Sequence, residues 1–160
     1  METEVMEELY QRAANLINDI IPENWDKVYL YAEINEDGGR VFFYYYPIND
    51  KVPVYSLDII NRFSVEKSEF DELNYDLFEC FDELWEEFKR NNQEVWSNLI
   101  FILDNTGGFE IEYGYDDITD ADQTEIHTVW AYRHLGLIPP EGSYKRELLD
   151  NYLKNSKGQE

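Results

Sequence analysis

The sequence predicts an α+β fold in which antiparallel β-hairpins pack against helices. Three observations carry the prediction: two long segments with apolar residues at helical spacing, several segments that alternate apolar and polar residues, and a Gly-Gly pair in the turn of each of two hairpins. A chain of 160 residues suits one domain with a real core. A hydrophobic fraction of 43% and an aromatic fraction of 16% mark a packed globular chain, not a disordered acidic one.

From Met6 to Ile21 the residues Met6, Leu9, Tyr10, Ala13, Leu16, Ile17 and Ile20 recur at helical spacing until Pro22 stops the pattern. The segment KVYLYAEIN then alternates Val28, Leu30, Ala32 and Ile34 with Tyr29, Tyr31, Glu33 and Asn35, as a half-buried strand does. Asp37-Gly38-Gly39 supplies a tight turn, and RVFFYYY returns as the second strand, ending where Pro47 removes a ladder donor. VPVYSLDI is a candidate third strand. Residues 66–91 form the clearest helix, with Phe70, Leu73, Leu77, Phe81, Leu84 and Phe88 on one face and Phe78 and Trp85 on its flank.

SNLIFILD, the turn NTGG and FEIEYGY make a second hairpin that puts Phe109, Ile111, Tyr113 and Tyr115 on one side. A helix from about Asp120 to Leu135 ends at Gly136, and Pro139-Pro140 breaks the chain before a short closing helix capped by Ser143. The expected organisation is an α+β domain over residues 1–140 and a C-terminal helix and tail over 141–160. Glu23-x-Trp25, Gly38-Gly39 and Tyr44-x-Tyr46 are echoed by Glu94-x-Trp96, Gly107-Gly108 and Tyr113-x-Tyr115. Two α-β-β units and recurring hairpin chemistry both account for the echo.

Charge is the unusual quantity. Thirty-five acids against 13 Lys and Arg give a formal net charge of -22. Such a field repels phosphate backbones and anionic lipid and attracts a basic protein, so neither nucleic acid nor membrane is expected as a direct partner. The single cysteine, Cys80, cannot close an internal disulfide, and no leader or transmembrane-length apolar run is seen, which sets the expected location as the cytoplasm.

The stretch EYGYDDITDADQTE, residues 112–125, concentrates six acids and no base. As a calcium loop it fails: from Asp116 the third and sixth positions are Ile118 and Ala121, and from Asp120 the fifth and twelfth are Thr124 and Ala131. Asp116 and Asp117 are adjacent on an extended segment and so diverge, which disfavours a catalytic pair. His127 and His134 lie two helical turns apart, about 10 Å, too far for one ion. Cys80 sits at the edge of the apolar face as a small core residue. No metal, cofactor or catalytic residue is expected.

On the long helix the acids Glu69, Asp71, Glu72, Asp76, Glu79, Asp82, Glu83, Glu86 and Glu87 all fall on the arc opposite the apolar stripe. Like charges at i and i+4 cost about 0.2–0.5 kcal/mol each, and acids near the C-terminal end oppose the helix dipole. A helix selected for stability alone would interleave lysines. The two readings are a solvated face and a docking surface for a basic protein. Exposed aromatics, namely Tyr75 and some of Tyr44, Tyr45, Tyr46 and Tyr115, would anchor such a partner.

The order of landmarks IPENWDKVYLYAEI, DGGRVFFYYYP, LFECFDELWEEFK, the pair Trp96 and Phe101, FEIEYGYDDI and HLGLIPP resembles the YezG-type antitoxins, also called EsaG-type immunity proteins, of Gram-positive bacteria. The likeness runs from about Leu9 to Pro140, and its motifs are aromatic and structural. It implies a protein that binds and neutralises the C-terminal nuclease domain of a polymorphic toxin, commonly an LXG or type VII-secreted one. The charge and the resemblance converge on a non-enzymatic immunity protein that inhibits a basic nuclease stoichiometrically. The candidate toxin-binding residues are Asp116, Asp117, Asp120, Asp122 and Glu125, then Asp76, Glu79, Asp82, Glu83 and Glu86, with Tyr75 and Tyr115. The alternative is a small acidic adaptor without a toxin partner, and a more distant one is a metal-assisted hydrolase using the 112–125 carboxylates.

Overall fold

The computed structural model describes residues 2–157 and divides the chain into two compact units, 1–116 and 117–160. Of the expected C-terminal tail, residues 158–160 lie outside the described residues.

The first unit is a five-stranded antiparallel sheet with helices on one face. Its elements run α1 (Glu4–Ile20), β1 (Trp25–Asn35), β2 (Gly38–Pro47), β3 (Val54–Tyr55), α2 (Ile59–Phe63), α3 (Lys67–Arg90), β4 (Asn98–Asp104) and β5 (Phe109–Gly114). A 3-10 turn over Ser56–Asp58 joins β3 to α2. The strand order is β3-β2-β1-β4-β5, with every neighbouring pair antiparallel. The α+β class and both hairpins are therefore present as expected. The candidate third strand shrinks to two residues before the chain coils into the short α2.

Helices α1 and α3 pack on each other in antiparallel fashion. Thr3 caps α1 by accepting from Met6 N at 3.1 Å and donates its own hydroxyl to Glu87 at 3.0 Å, while Cys80 Sγ meets Leu9 O at 3.0 Å. Their apolar stripes, including Met6, Ala13 and Ile17 from α1 and Phe70, Leu77, Phe81 and Leu84 from α3, close over Val28, Leu30, Phe43, Leu99 and Phe101 of the sheet. Burial of this kind is the main stabilising term for such a fold, worth about 1.5–3 kcal/mol for each large apolar side chain.

The register clarifies the internal echo. At the 71-residue offset of Trp25 and Trp96, Val28, Leu30 and Ala32 correspond to Leu99, Phe101 and Leu103. The ladder pairs Val28 with Leu103, Leu30 with Phe101 and Ala32 with Leu99, so Leu30 lies opposite its own counterpart, as two α-β-β units related by a two-fold axis require. The tyrosine part of the echo slips by one residue. Val28 pairs with Tyr45 as Leu99 pairs with Tyr113, whereas Tyr44 and Tyr46 fall on the opposite face of the sheet.

Two expectations about exposure are corrected. Strand β1 lies at the centre of the sheet, so Tyr31 and Glu33 on its second face are buried; Tyr31 donates to Glu33 at 2.8 Å and Arg40 Nε to Glu33 at 2.7 Å. Tyr45, one of the possible anchors, is fully buried among the core residues and donates to Glu23 at 2.7 Å. Tyr44 and Tyr46 are half-buried.

The second unit contains α4 (Gln123–Leu135) and α5 (Tyr144–Lys157), packed on each other. Helix α4 begins three residues later than expected. Asp122 is its N-cap, accepting from Thr124 N and Glu125 N. Gly136 ends it at φ 69°, a conformation that favours glycine, and Ser143 Oγ accepts from Arg146 N in the first turn of α5.

Candidate partner-binding surface

The outer face of α3 forms because its apolar stripe is taken up by α1 and the sheet, which leaves the acids on the remaining arc. Glu69, Asp71, Glu72, Asp76 and Glu83 are exposed, and Glu79, Asp82 and Glu86 are half-buried. Partial burial raises the Asp82 carboxyl above the usual carboxylate range, and the charges of Glu79, Glu86 and Glu83 push it further the same way. Tyr75, 60% exposed, lies beside Glu79, whose carboxylate raises its phenol. Bases touch the borders of this face: Arg12 pairs with Glu83 at 3.0 Å, and Lys67 pairs with Asp71.

Glu87 does not belong to the face. It is only 6% exposed and turns back into the structure, receiving Arg90 at 2.8 Å, Asn91 Nδ2 at 3.0 Å and the Thr3 hydroxyl. Those bonds, Arg90's first, hold its carboxyl below the usual range. The signal was in the sequence: Glu87 stands seven residues after the core residue Cys80, hence on nearly the same side of the helix, and three before Arg90.

The 112–125 stretch is split between the units. Tyr115, 48% exposed, and the exposed Asp116 close the first unit, where Ser97 Oγ donates to the Asp116 carbonyl. In the second unit Asp117 accepts from Thr119 N at 3.0 Å, and bonds from Thr119 hold its carboxyl below the usual range. Asp122 caps α4 through one oxygen and accepts from the Tyr144 hydroxyl at 3.2 Å through the other. Asp120 and Glu125 are exposed. Two of the five candidate carboxylates thus have turn and capping duties, which the spacings Asp117-x-Thr119 and Asp122-x-x-Glu125 encode.

Cys80 is buried beside Leu9 O, and desolvation pushes its thiol up to about 11. The His134 ring packs against Trp130 in a tilted arrangement, centroids 5.3 Å apart. Among the described residues no group of three or more His, Cys, Asp or Glu is placed to hold a metal ion. No helix among them is long and apolar enough to cross a membrane.

What these elements define is a small α+β protein whose most distinctive surface is a crowded acidic helix. Comparison with known proteins then fixes the lineage: residues 6–149 match the family described as "Immunity protein YezG-like", and the chain belongs to that family. It is similar to "Immunity protein YezG" of Bacillus spizizenii, 41% identical over 160 residues that cover 99% of both chains. The Bacillus subtilis protein of the same name is 39% identical over 92% of this chain and 99% of its own. "Type VII secretion system protein EsaG" of Staphylococcus aureus is 31% identical over 94% and 95% of the two chains.

Proposed function

We propose that this member of the immunity family works by stoichiometric capture of a cognate toxin, without turnover, and that the toxin domain is a basic nuclease met in the cytoplasm. Membership of the YezG-like family supports a toxin as partner. The observation that carries the choice of a basic partner is the run of acids on the outer face of α3, where Asp82 stands among Glu79, Glu83 and Glu86 and their charges add to partial burial in raising its carboxyl. A cationic surface laid on α3 relieves that repulsion, so charge that costs stability in the free protein becomes attraction in the complex. Tyr75 supplies a large amphipathic side chain among the acids, of the type that anchors interfaces. In this reading Asp76, Glu79, Asp82, Glu83 and Glu86 steer the toxin, and Asp116, Asp117, Asp120, Asp122, Glu125 and Tyr115 are further candidates for contact.

The test is co-expression with the cognate toxin domain, followed by growth measurement, co-purification and electrophoresis of cellular DNA. Restored growth, a one-to-one complex and intact DNA are expected. Unrelieved killing with both proteins soluble would overturn the proposal.

A further inference from the structure

Strand β5 closes the sheet with an open backbone edge. Its ladder with β4 runs without a bulge from Leu103↔Phe109 to Asn98↔Gly114. Gly108 O accepts from Asp104 N and Gly114 O from Ser97 N, which fixes the phase of the ladder. Residues 110, 112 and 114 therefore turn their backbone groups toward β4, and the N–H and C=O of Phe109, Ile111 and Tyr113 turn outward. Among the described residues no strand lies beyond β5.

Proteins usually blunt such an edge with proline, lysine, a bulge or brevity. The opposite edge, β3, is two residues long, whereas β5 has six residues and contains neither proline nor lysine. What β5 does carry is Glu110 and Glu112, both exposed, on the face turned away from the helices. On the helix side Phe109 is 43% exposed and leans on Tyr10, ring centroids 5.3 Å apart. An open groove of about 560 Å³, lined by Tyr29, Ile102, Phe109 and Glu110 among others, runs beside the start of the strand.

These features select the occupant. A second copy pairing β5 with β5 would set the glutamates of both strands on one face within cross-strand reach, which is unfavourable. A strand bearing cations on that face gains from the same geometry. We propose that the edge of β5 takes an added β-strand from the partner, an extended segment alternating Lys or Arg with apolar residues, its cations meeting Glu110 and Glu112 and its apolar side chains lying beside Phe109. The idea deepens the reading that the partner is a basic protein and rests on it for the partner's charge. It adds the mode of contact, main chain to main chain.

The experiment uses the full chain and three synthetic peptides, so it does not depend on any toxin. The probes are acetylated and amidated Lys-Val-Lys-Val-Lys-Val-Lys, the same peptide methylated at every backbone nitrogen, and the Glu-Val counterpart. Amide hydrogen exchange is followed by NMR. The expected result is tenfold or greater slowing at the amides of Phe109, Ile111 and Tyr113 with the first peptide only, and loss of that slowing in Glu110→Lys/Glu112→Lys. Equal binding of the methylated peptide, or binding without slowing at those three amides, would overturn the inference, because either marks diffuse attraction to a chain of net charge -22. Absence of binding would overturn it as well. Such failure leaves the immunity reading standing, and failed neutralisation of a toxin leaves the peptide result standing.

Discussion

Asp82→Asn should stabilise this protein, and the gain should depend on pH and salt. Asp82 lies three residues after Glu79 and four before Glu86, so it faces two like charges along the helix, with Glu83 adjacent. At about 0.2–0.5 kcal/mol for each of the two helical neighbours, the gain is about 0.4–1 kcal/mol at low salt. In a protein of this length that is a rise of about 1–4 °C in Tm. Asparagine and aspartate have similar helix propensities, so the substitution isolates charge. The folded carboxyl is raised above its unfolded value, so its contribution is most favourable below the unfolded pKa and is lost as pH rises through the folded one. The variant's advantage is thus full at pH 7 and fades as the carboxylates protonate. Urea unfolding at pH 7 and pH 4.5, in 20 mM and 500 mM NaCl, reads it. No gain at pH 7 in low salt, or a gain indifferent to both salt and pH, would refute the claim that the face is electrostatically strained.

Glu87→Gln should do the reverse. Its folded carboxyl is lowered, so its stabilisation is present above the unfolded pKa and disappears as pH falls through the folded one. The urea midpoints of wild type and variant should differ at pH 7 and converge in acid. Gly39→Ala should cripple folding, since a Cβ there would lie 1.9 Å from the Glu33 carbonyl oxygen across the first hairpin; circular dichroism should show a Tm lowered by several degrees or no cooperative transition. Cys80, buried with its thiol pushed up to about 11, should resist a thiol reagent in the native protein and react fully in denaturant.

Most of the fold was legible because long elements average over many residues. The apolar spacing of α1 and α3 and the alternation of β1 located them to within a few residues. The misreadings arose where a single residue's partner decides the outcome. Tyr31 and Glu33 look like the wet face of a strand until β2 and β4 flank β1 and Arg40 meets Glu33. Tyr45 is flanked by tyrosines in sequence, and only the register assigns it to the helix side. Glu87 reads with the outer acids while only its charge is weighed; its seven-residue spacing from Cys80 turns it inward, where Thr3, Arg90 and Asn91 receive it. The acidic face itself was legible, since charge opposite an apolar stripe needs no long-range information. The open edge of β5 was not, because strand order arises from pairings far apart in sequence.

The central claim is that acid on α3 is held for a basic partner. Association kinetics with the cognate toxin domain test it most directly, using wild type and Asp76→Lys/Glu79→Lys/Glu86→Lys over a range of NaCl concentrations. The account predicts an on-rate for wild type that falls about tenfold or more as salt rises, and a variant that is slower in low salt and nearly indifferent to salt. Tight binding at the same rate by both proteins, unchanged by salt, would contradict it.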